Sequence, residues 1–171
     1  MLSRWLLTKD ELPDPDPSAQ GRSMIDYQLQ NYKITEYGQD GRLVYSLSAP
    51  SMSRHATTEE TSIEQPRLFW PQQAKSGKIT AKSNSGLITG DLNIIFLRGN
   101  VVVKSQTESQ QTAIIRTESL DFNQKTRLVS TPDEVTMTTA GAILTAVGMS
   151  AQLDEGIVLL EQQVKGQYET Q

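Results

Sequence analysis

The chain has 171 residues, a net charge of −4, one histidine and no cysteine. This length suits a single domain with a substantial core, and the lack of cysteine excludes disulfides, thiolate metal ligands and a cysteine nucleophile. Acidic and basic residues are interspersed along the sequence without a basic stripe, which argues against a nucleic-acid partner.

The first 26 residues predict a flexible linker. Pro13, Pro15 and Pro17 alternate with acidic or small residues, and prolines at this spacing favour extended, unpaired backbone. The segment before them is short and amphipathic, with Trp5 near its middle. It is interpreted either as a frayed terminus or as the remainder of a membrane anchor. No run of 18 apolar residues is present in the sequence as given, and folded structure is expected from Tyr27 onward.

Beyond the linker, the pattern is that of β-strands. Leu43, Tyr45, Leu47 and Ala49 alternate with smaller or polar residues, which is typical of a half-buried strand. Tight turns at this spacing favour an antiparallel all-β fold. The predicted turns are at residues 38–41, 75–77, 89–91, 131–133, 140–141 and 155–156. The polar segment 55–64 is compatible with one turn of helix.

A unit of two β-runs recurs at residues 78–105, 112–139 and 142–169. In each unit the second run breaks and resumes at a valine, namely Val101, Val135 and Val164, with offsets of about 34 and 29 residues. A degenerate earlier unit surrounds Gln65 and Pro66. Repeating supersecondary units of this kind stack and share a continuous core.

Aligning the breaks places apolar residues two apart on one sheet face. Stacked units would then form a continuous apolar slot, although ordinary core packing explains the same pattern. The predicted lining residues are Tyr32, Ile34, Tyr45, Leu47, Ile63, Phe69, Ile95, Leu97, Val101, Ile115, Val129, Val135, Leu144, Val158 and Val164.

Residues for catalysis are scarce. His55, the only histidine, lies in a polar stretch, so neither a Ser/His/Asp triad nor a transition-metal site is expected. The carboxylate pairs Glu59–Glu60 and Asp133–Glu134 are neighbours in sequence, and on a strand such neighbours point to opposite faces. We expect no catalytic residue, no metal and no cofactor.

An ordered set of short motifs resembles the LptC family, the bitopic lipopolysaccharide-transport proteins of Gram-negative bacteria. The opening DGRLVYSLSA at residues 40–49 resembles the family's Asp/Glu-Gly-x-x-x-Tyr-x-x-x-Ala pattern. Gln65-Pro66 before Leu68-Phe69, Gly99-Asn100-Val101, Gly141 after a Thr-rich strand, and the ending VKGQYE at 164–169 follow in the same order. The resemblance covers about residues 27–170.

The resemblance implies an all-β fold, a single twisted β-jellyroll of about 14–16 antiparallel strands, open along one side and built from repeating hairpins. Residues 27–171 would form a periplasmic lipopolysaccharide-binding domain. The family has an N-terminal transmembrane helix that tethers it to the inner membrane, and the given chain lacks one. Residues 1–26 would link the two.

The family also implies partners. Lipopolysaccharide would arrive from the inner-membrane ABC transporter, LptF/LptG, at the N-terminal edge formed by residues 27–37. It would pass to the periplasmic bridge protein LptA at the C-terminal edge, where Gly141, Val164, Gly166 and Tyr168 are the predicted interface residues. A bulky residue at Gly141 is expected to crowd neighbouring strands.

Three other interpretations stay open. The chain could be a soluble LptA-like bridge, a glycan-acting β-solenoid enzyme that uses scattered carboxylates, or an adhesive module with a filled interior. The transport interpretation depends on an apolar interior that reaches the outside.

Overall fold

The computed structural model describes residues 25–72, 77–107 and 111–168. Within these ranges all regular structure is β, in eleven antiparallel strands of one sheet. The strands are β1 (Ile25–Tyr37), β2 (Leu43–His55), β3 (Thr61–Glu64), β4 (Arg67–Gln72), β5 (Gly77–Lys82), β6 (Ser85–Ile88), β7 (Ile94–Gln106), β8 (Thr112–Asn123), β9 (Leu128–Thr139), β10 (Ala142–Gln152) and β11 (Ile157–Tyr168).

The predicted all-β jellyroll class is confirmed, but the described residues hold eleven strands rather than 14–16. The breaks before Val101, Val135 and Val164 lie inside long strands and do not separate one strand from the next, whereas the break at Gln65-Pro66 separates β3 from β4. Strand β10 has a further bulge at Gly148. Asn100, Gly148 and Gln163 have positive φ at these bulges, at 50°, 81° and 49°. Register shifts accompany them where β7 pairs with β8 and where β10 pairs with β9 and β11. A bulge adds a residue and bends the strand without ending it.

Three local expectations are corrected. Residues 131–133 lie inside β9, where the Thr131 Oγ1 accepts a hydrogen bond from the Asp133 N–H at 3.1 Å. The hairpin turn follows Asn123 instead, whose Oδ1 accepts bonds from two turn N–H groups. The segment 55–64 forms the end of β2, a turn and β3, with no helix. Of the predicted linker, residues 1–26, only residues 25 and 26 are described, and they begin β1. Residues 75 and 76 of the predicted turn 75–77 lie outside the described ranges.

The bulges lie side by side and divide the sheet into two layers. The first layer comprises β3, β6 and residues 25–30, 51–55, 94–98, 119–123, 128–131, 149–152 and 157–160. The second layer comprises β4, β5 and residues 32–37, 43–48, 101–106, 112–116, 135–139, 142–146 and 164–168. The layers pack against each other. Trp70 in the second layer and Phe122 in the first make an edge-to-face contact, with ring centroids 5.0 Å apart and an interplanar angle of 75°.

The short strands close one half of this arrangement. β2 connects to β7 by two routes, through β3 and β6 in the first layer and through β4 and β5 in the second. β1 and β11 are the edges, and each pairs with one neighbour among the described strands. The sheet is therefore sealed around β2–β7 and ends freely at β11.

The core lies between the layers. One inner row of the second layer runs through Ile34, Leu47, Leu68, Ala81, Val103, Ile115, Met137, Leu144 and Gly166 in cross-strand register. Near the bend a few hydroxyls are buried, and Thr131 Oγ1 lies 3.4 Å from Thr117 Oγ1 and 3.3 Å from Ser119 Oγ. These hydroxyls pair with one another where bulges interrupt the ladder of backbone hydrogen bonds.

Candidate functional site

An apolar cavity of about 100 Å³ lies between the two layers, on the side of β7 to β11. The second layer supplies Trp70, Ile79, Val103 and Ile115, while the first supplies Leu120, Val129, Met149 and Ala151. Small side chains at Ala151 and Ser105 leave the space that larger residues would fill. We call this cavity and its mouth the groove.

The groove opens beside the turn between β10 and β11. Its wall continues through Gln152, Leu153 and Gly156 to Ile157 and Val158, whose side chains are 58% and 42% exposed. Because these wall residues reach solvent, an apolar path leads from the surface into the space between the layers. Exposed apolar surface of this kind is characteristic of binding grooves.

The predicted lining residues have different surroundings in the structure. Ile115, Val129 and Val158 line the groove. Seven belong to the buried core and do not line it: Tyr45, Leu47, Ile63, Ile95, Leu97, Val101 and Val135. Tyr32 and Leu144 are half-buried, and Ile34 and Val164 are exposed on the edge strands.

Phe69 lies on the opposite face from the residues with which it was predicted to align. It pairs with Ser46 and Thr80, while its neighbours Leu68 and Trp70 are buried. The positive φ of Gln65, 46°, turns the chain between β3 and β4, so the alternation does not carry across the break. The expected shared face of Ile63 and Phe69 is therefore wrong.

The wall also contains Trp70, Ile79 and Met149, which the sequence pattern did not predict. The run Arg67–Gln72 has three successive apolar residues, so its alternation does not identify the inner face. Gly148 adds a residue to β10 and shifts the inner positions from Ala146 to Met149. A bulge glycine was a usable signal for that shift.

Among the described residues, two buried side-chain polar atoms have no hydrogen-bond partner, Trp70 Nε1 and Tyr32 Oη. The phenols of Tyr32 and Tyr45 are both affected by this environment. Burial, and then the neighbouring Tyr45, raises the pKa of Tyr32 to about 12. Burial, then repulsion from Glu36 and a hydrogen bond to it, raises the pKa of Tyr45 to about 12.

The predicted C-terminal interface residues lie together at one end of the second layer. Tyr168 pairs with Ala142, next to the turn that contains Gly141, and Gly166 pairs with Leu144. Val164 and Tyr168 are 53% and 76% exposed on the edge strand β11. An added Cβ at Gly141 meets nothing within 4 Å, so a methyl side chain at this position would not crowd its neighbours within this chain. Gly166 is the tight position, because its Cβ would lie 3.1 Å from Leu144 Cδ2.

Two comparisons of sequence identify the family of this chain. The family model for LptC-related lipopolysaccharide assembly matches residues 1–169. The chain belongs to this family. A relative, the lipopolysaccharide export system protein LptC of Haemophilus influenzae, is 24% identical over 163 residues, covering 84% of this chain and 77% of that protein.

A solved structure shows the same fold. LptH of Pseudomonas aeruginosa, described as the LptA-homologous periplasmic component of the lipopolysaccharide transport device, matches with a TM-score of 0.57. The identity is 7%, and the match covers 74% of this chain and 95% of that one. The LptC-related chain thus has the β-jellyroll fold and is a component of lipopolysaccharide transport that faces the periplasm. In the part of the chain that the structure describes, no helix has the length and apolarity to cross a membrane.

Proposed function

We propose that this LptC-related chain is a non-enzymatic acceptor of lipopolysaccharide. It would receive the lipid from the inner-membrane ABC transporter, hold its acyl chains in the groove and pass them to the LptA bridge. The observation that carries the proposal is the groove itself, an apolar space between two layers that reaches solvent at Ile157 and Val158. Family membership supports the choice of lipid.

The physical reason is the free energy of exposing acyl chains to water. Each methylene group kept dry contributes about 0.8 kcal/mol, so a continuous apolar path lowers the barrier to crossing the periplasm. Contact of this kind has no preferred direction, which lets the lipid slide and leave. No covalent step is required of the protein.

The groove has to widen to accept lipid. Its volume of about 100 Å³ is below the roughly 300–1,000 Å³ of ordinary ligand pockets. β11 pairs with β10 and with no other described strand, so the first and second layers are free to part at this side. We infer that acyl chains enter beside β11 and not through the sealed half.

A photo-crosslinking amino acid at Val158 tests this inference. Val158 lines the groove, whereas its neighbour Leu159 is 60% exposed and is absent from the groove wall. The two positions are adjacent on β11 and both carry exposed aliphatic side chains, so Leu159 is the matched control. We expect crosslinks to lipopolysaccharide from Val158 and at most one tenth as many from Leu159. Equal yields, or none from either position in the presence of the transporter, would contradict the proposal.

The edges suggest where the partners bind. An edge strand presents unpaired N–H and C=O groups that template another strand. In the proposal β11 receives LptA and β1 receives the periplasmic domain of LptF/LptG, with a preceding transmembrane helix as the tether. Deleting residues 163–171 should abolish binding to LptA and leave binding to the transporter unchanged. Unchanged affinity for LptA after this deletion would exclude β11 as its site.

Binding of LptA at each of the two edges also distinguishes an acceptor from a soluble bridge. A bridge made of identical stacked units would bind LptA at both edges, β1 included. The acceptor binds LptA only at β11. Saturating this edge with an LptA variant that blocks it should therefore prevent any further LptA from binding.

A further inference from the structure

One cross-strand row on the outer face of the second layer contains five basic residues. The row runs from edge to edge through Lys33, Ser48, Arg67, Lys82, Val102, Arg116, Thr136, Thr145 and Lys165. Every consecutive pair in this series is a direct cross-strand partner. We call the five cations Lys33, Arg67, Lys82, Arg116 and Lys165 the basic row.

The basic row is exposed and unneutralised. All five side chains are exposed, and none of them takes part in the ion pairs within 4 Å found among the described residues. Lys78 and Lys104 extend the same face toward the free end of the layer. The exposed carboxylates of this face lie beside the bulges that divide the two layers, at Glu118, Glu134 and Glu161.

The arrangement works against folding stability. Arg67 and Lys82 are directly opposite each other in β4 and β5, and like charges in such positions are destabilising. The chain as a whole is acidic, with 20 Asp and Glu residues against 16 Lys and Arg. A carboxylate in place of either member would relieve the repulsion, so the row is better explained by an anion that binds there.

The surface around the row is concave and suited to a saccharide. One hollow of about 360 Å³ is lined by Ser46, Ser48, Arg67, Phe69, Thr80, Lys82 and Lys104 among others. A second, of about 370 Å³, shares Thr80 and Lys104 and adds Lys78, Gln106 and Thr112. Hydroxyls can pair with sugar hydroxyls, and the Phe69 ring offers an apolar face against which a pyranose can stack. A lipid bilayer is flat and would contact the rims of these hollows without filling them.

We propose that the basic row and its hollows bind the anionic saccharide portion of lipopolysaccharide, through phosphate or carboxylate groups. This inference rests on the proposed function and adds a second site to it. The groove and the row use opposite faces of the same layer, since the inner row through Leu47, Leu68 and Val103 lies one residue away from the outer row along each strand. Acyl chains and saccharide therefore bind at separate surfaces.

The test uses a water-soluble probe, the phosphorylated oligosaccharide released from lipopolysaccharide by complete deacylation. Titration calorimetry would compare the unaltered protein with the double variant Arg67→Gln/Lys82→Gln. The control is Lys125→Gln, which removes an exposed cation in the turn after β8, outside the row. We expect at least a tenfold loss of affinity in the double variant, a shallower salt dependence and no change in the control. Phosphatase treatment of the probe should weaken its binding to the unaltered protein in the same way.

Three outcomes would overturn the inference: equal affinity of the double variant and the control, tight binding only to phosphatidylglycerol vesicles, or equal affinity for an oligonucleotide of matched charge. The second would make the row a membrane-docking surface, and the third would show unspecific attraction of polyanions. Crosslinking from Val158 is measured on the same double variant. Retained crosslinks with lost oligosaccharide binding would support two independent sites, whereas failure at Val158 alone would count against the groove and leave the row standing.

Discussion

Equivalent positions of the repeat have different surroundings in the two halves of the jellyroll. Ile95, Val129 and Val158 follow one another in the repeat, and their exposure rises from 0% to 6% to 42%. Val101, Val135 and Val164 rise in the same way, from 0% to 1% to 53%. The same residue type in the same motif is thus sealed core at β7 and open wall or edge at β11.

The cause is the number of neighbours of each strand. β7 is flanked by β8 on one side and by β5 and β6 on the other, whereas β11 pairs only with β10 among the described strands. The groove depends on this difference in neighbours and on the small side chains of Ser105 and Ala151. It appears where a repeat that builds a core reaches the end of its sheet.

The largest expected effect contrasts glutamate in the two halves. Ile63 is 2% exposed in the core, so Ile63→Glu would bury an unpaired carboxylate and should cost more than about 4 kcal/mol, enough to unfold the domain. Val158→Glu lets the carboxylate reach water at the mouth of the groove, and we expect a cost below about 1 kcal/mol. Urea unfolding followed by circular dichroism measures both.

The same pair tests function. Val158→Glu should stay folded and lose most acyl-chain crosslinking from a probe at Val129, because a charge at the entrance opposes lipid entry. If Ile63→Glu folds normally, the sealed half is open in solution and the comparison above is wrong.

Alkaline pH should loosen the closed half through its buried phenols. Tyr45 has a pKa of about 12 in the folded protein and about 10 when unfolded. The folded state therefore holds its proton more tightly, and the stabilisation is complete below pH 10 and is lost as pH rises from 10 to 12. Because solvent partly screens the phenolate, the loss from Tyr45 should be roughly 1–2 kcal/mol. Unfolding free energies of Tyr45→Phe should fall less over this window; an identical slope in the variant would assign the loss to other groups.

Two glycines near β11 give a smaller contrast. Gly148 has a φ of 81°, and a Cβ there would lie 2.7 Å from Glu161 Oε2 and 3.2 Å from Glu161 Cβ. Gly148→Ala should therefore cost about 1–3 kcal/mol, since the bulge needs this backbone conformation. A Cβ at Gly141 meets open space, so Gly141→Ala should change stability by less than about 0.5 kcal/mol. Thermal unfolding of the two variants side by side checks the order.

The smallest expected effect concerns Tyr32. Its Oη is buried without a hydrogen-bond partner, so Tyr32→Phe removes a polar group that gains nothing on folding. We expect stability to be unchanged or raised by up to about 1 kcal/mol. A clear destabilisation in chemical denaturation would mean that the hydroxyl has a partner in solution.

Alternation along the sequence is sufficient to predict the all-β class, the repeat and the inward-facing positions within the long strands. These features depend on local alternation with a period of two, and Leu43 to Ala49 or Ile95 to Val103 show it directly. The ordered motifs around Asp40, Gly99 and Val164 were also sufficient to indicate the LptC family. Local patterning contains this information because it reflects which face of a strand is buried.

Where the interior is sealed and where it is open depends on how the strands pair in three dimensions. Val101 and Val164 have equivalent sequence contexts, and their difference comes from the strands that flank them. The bulge at Gly148 and the turn at Gln65 shift the inner positions by one residue, which reassigned Met149 and Phe69. The basic row is likewise invisible in a sequence whose charges are interspersed: Lys33, Arg67, Lys82, Arg116 and Lys165 are far apart along the chain, and strand register alone brings them into line.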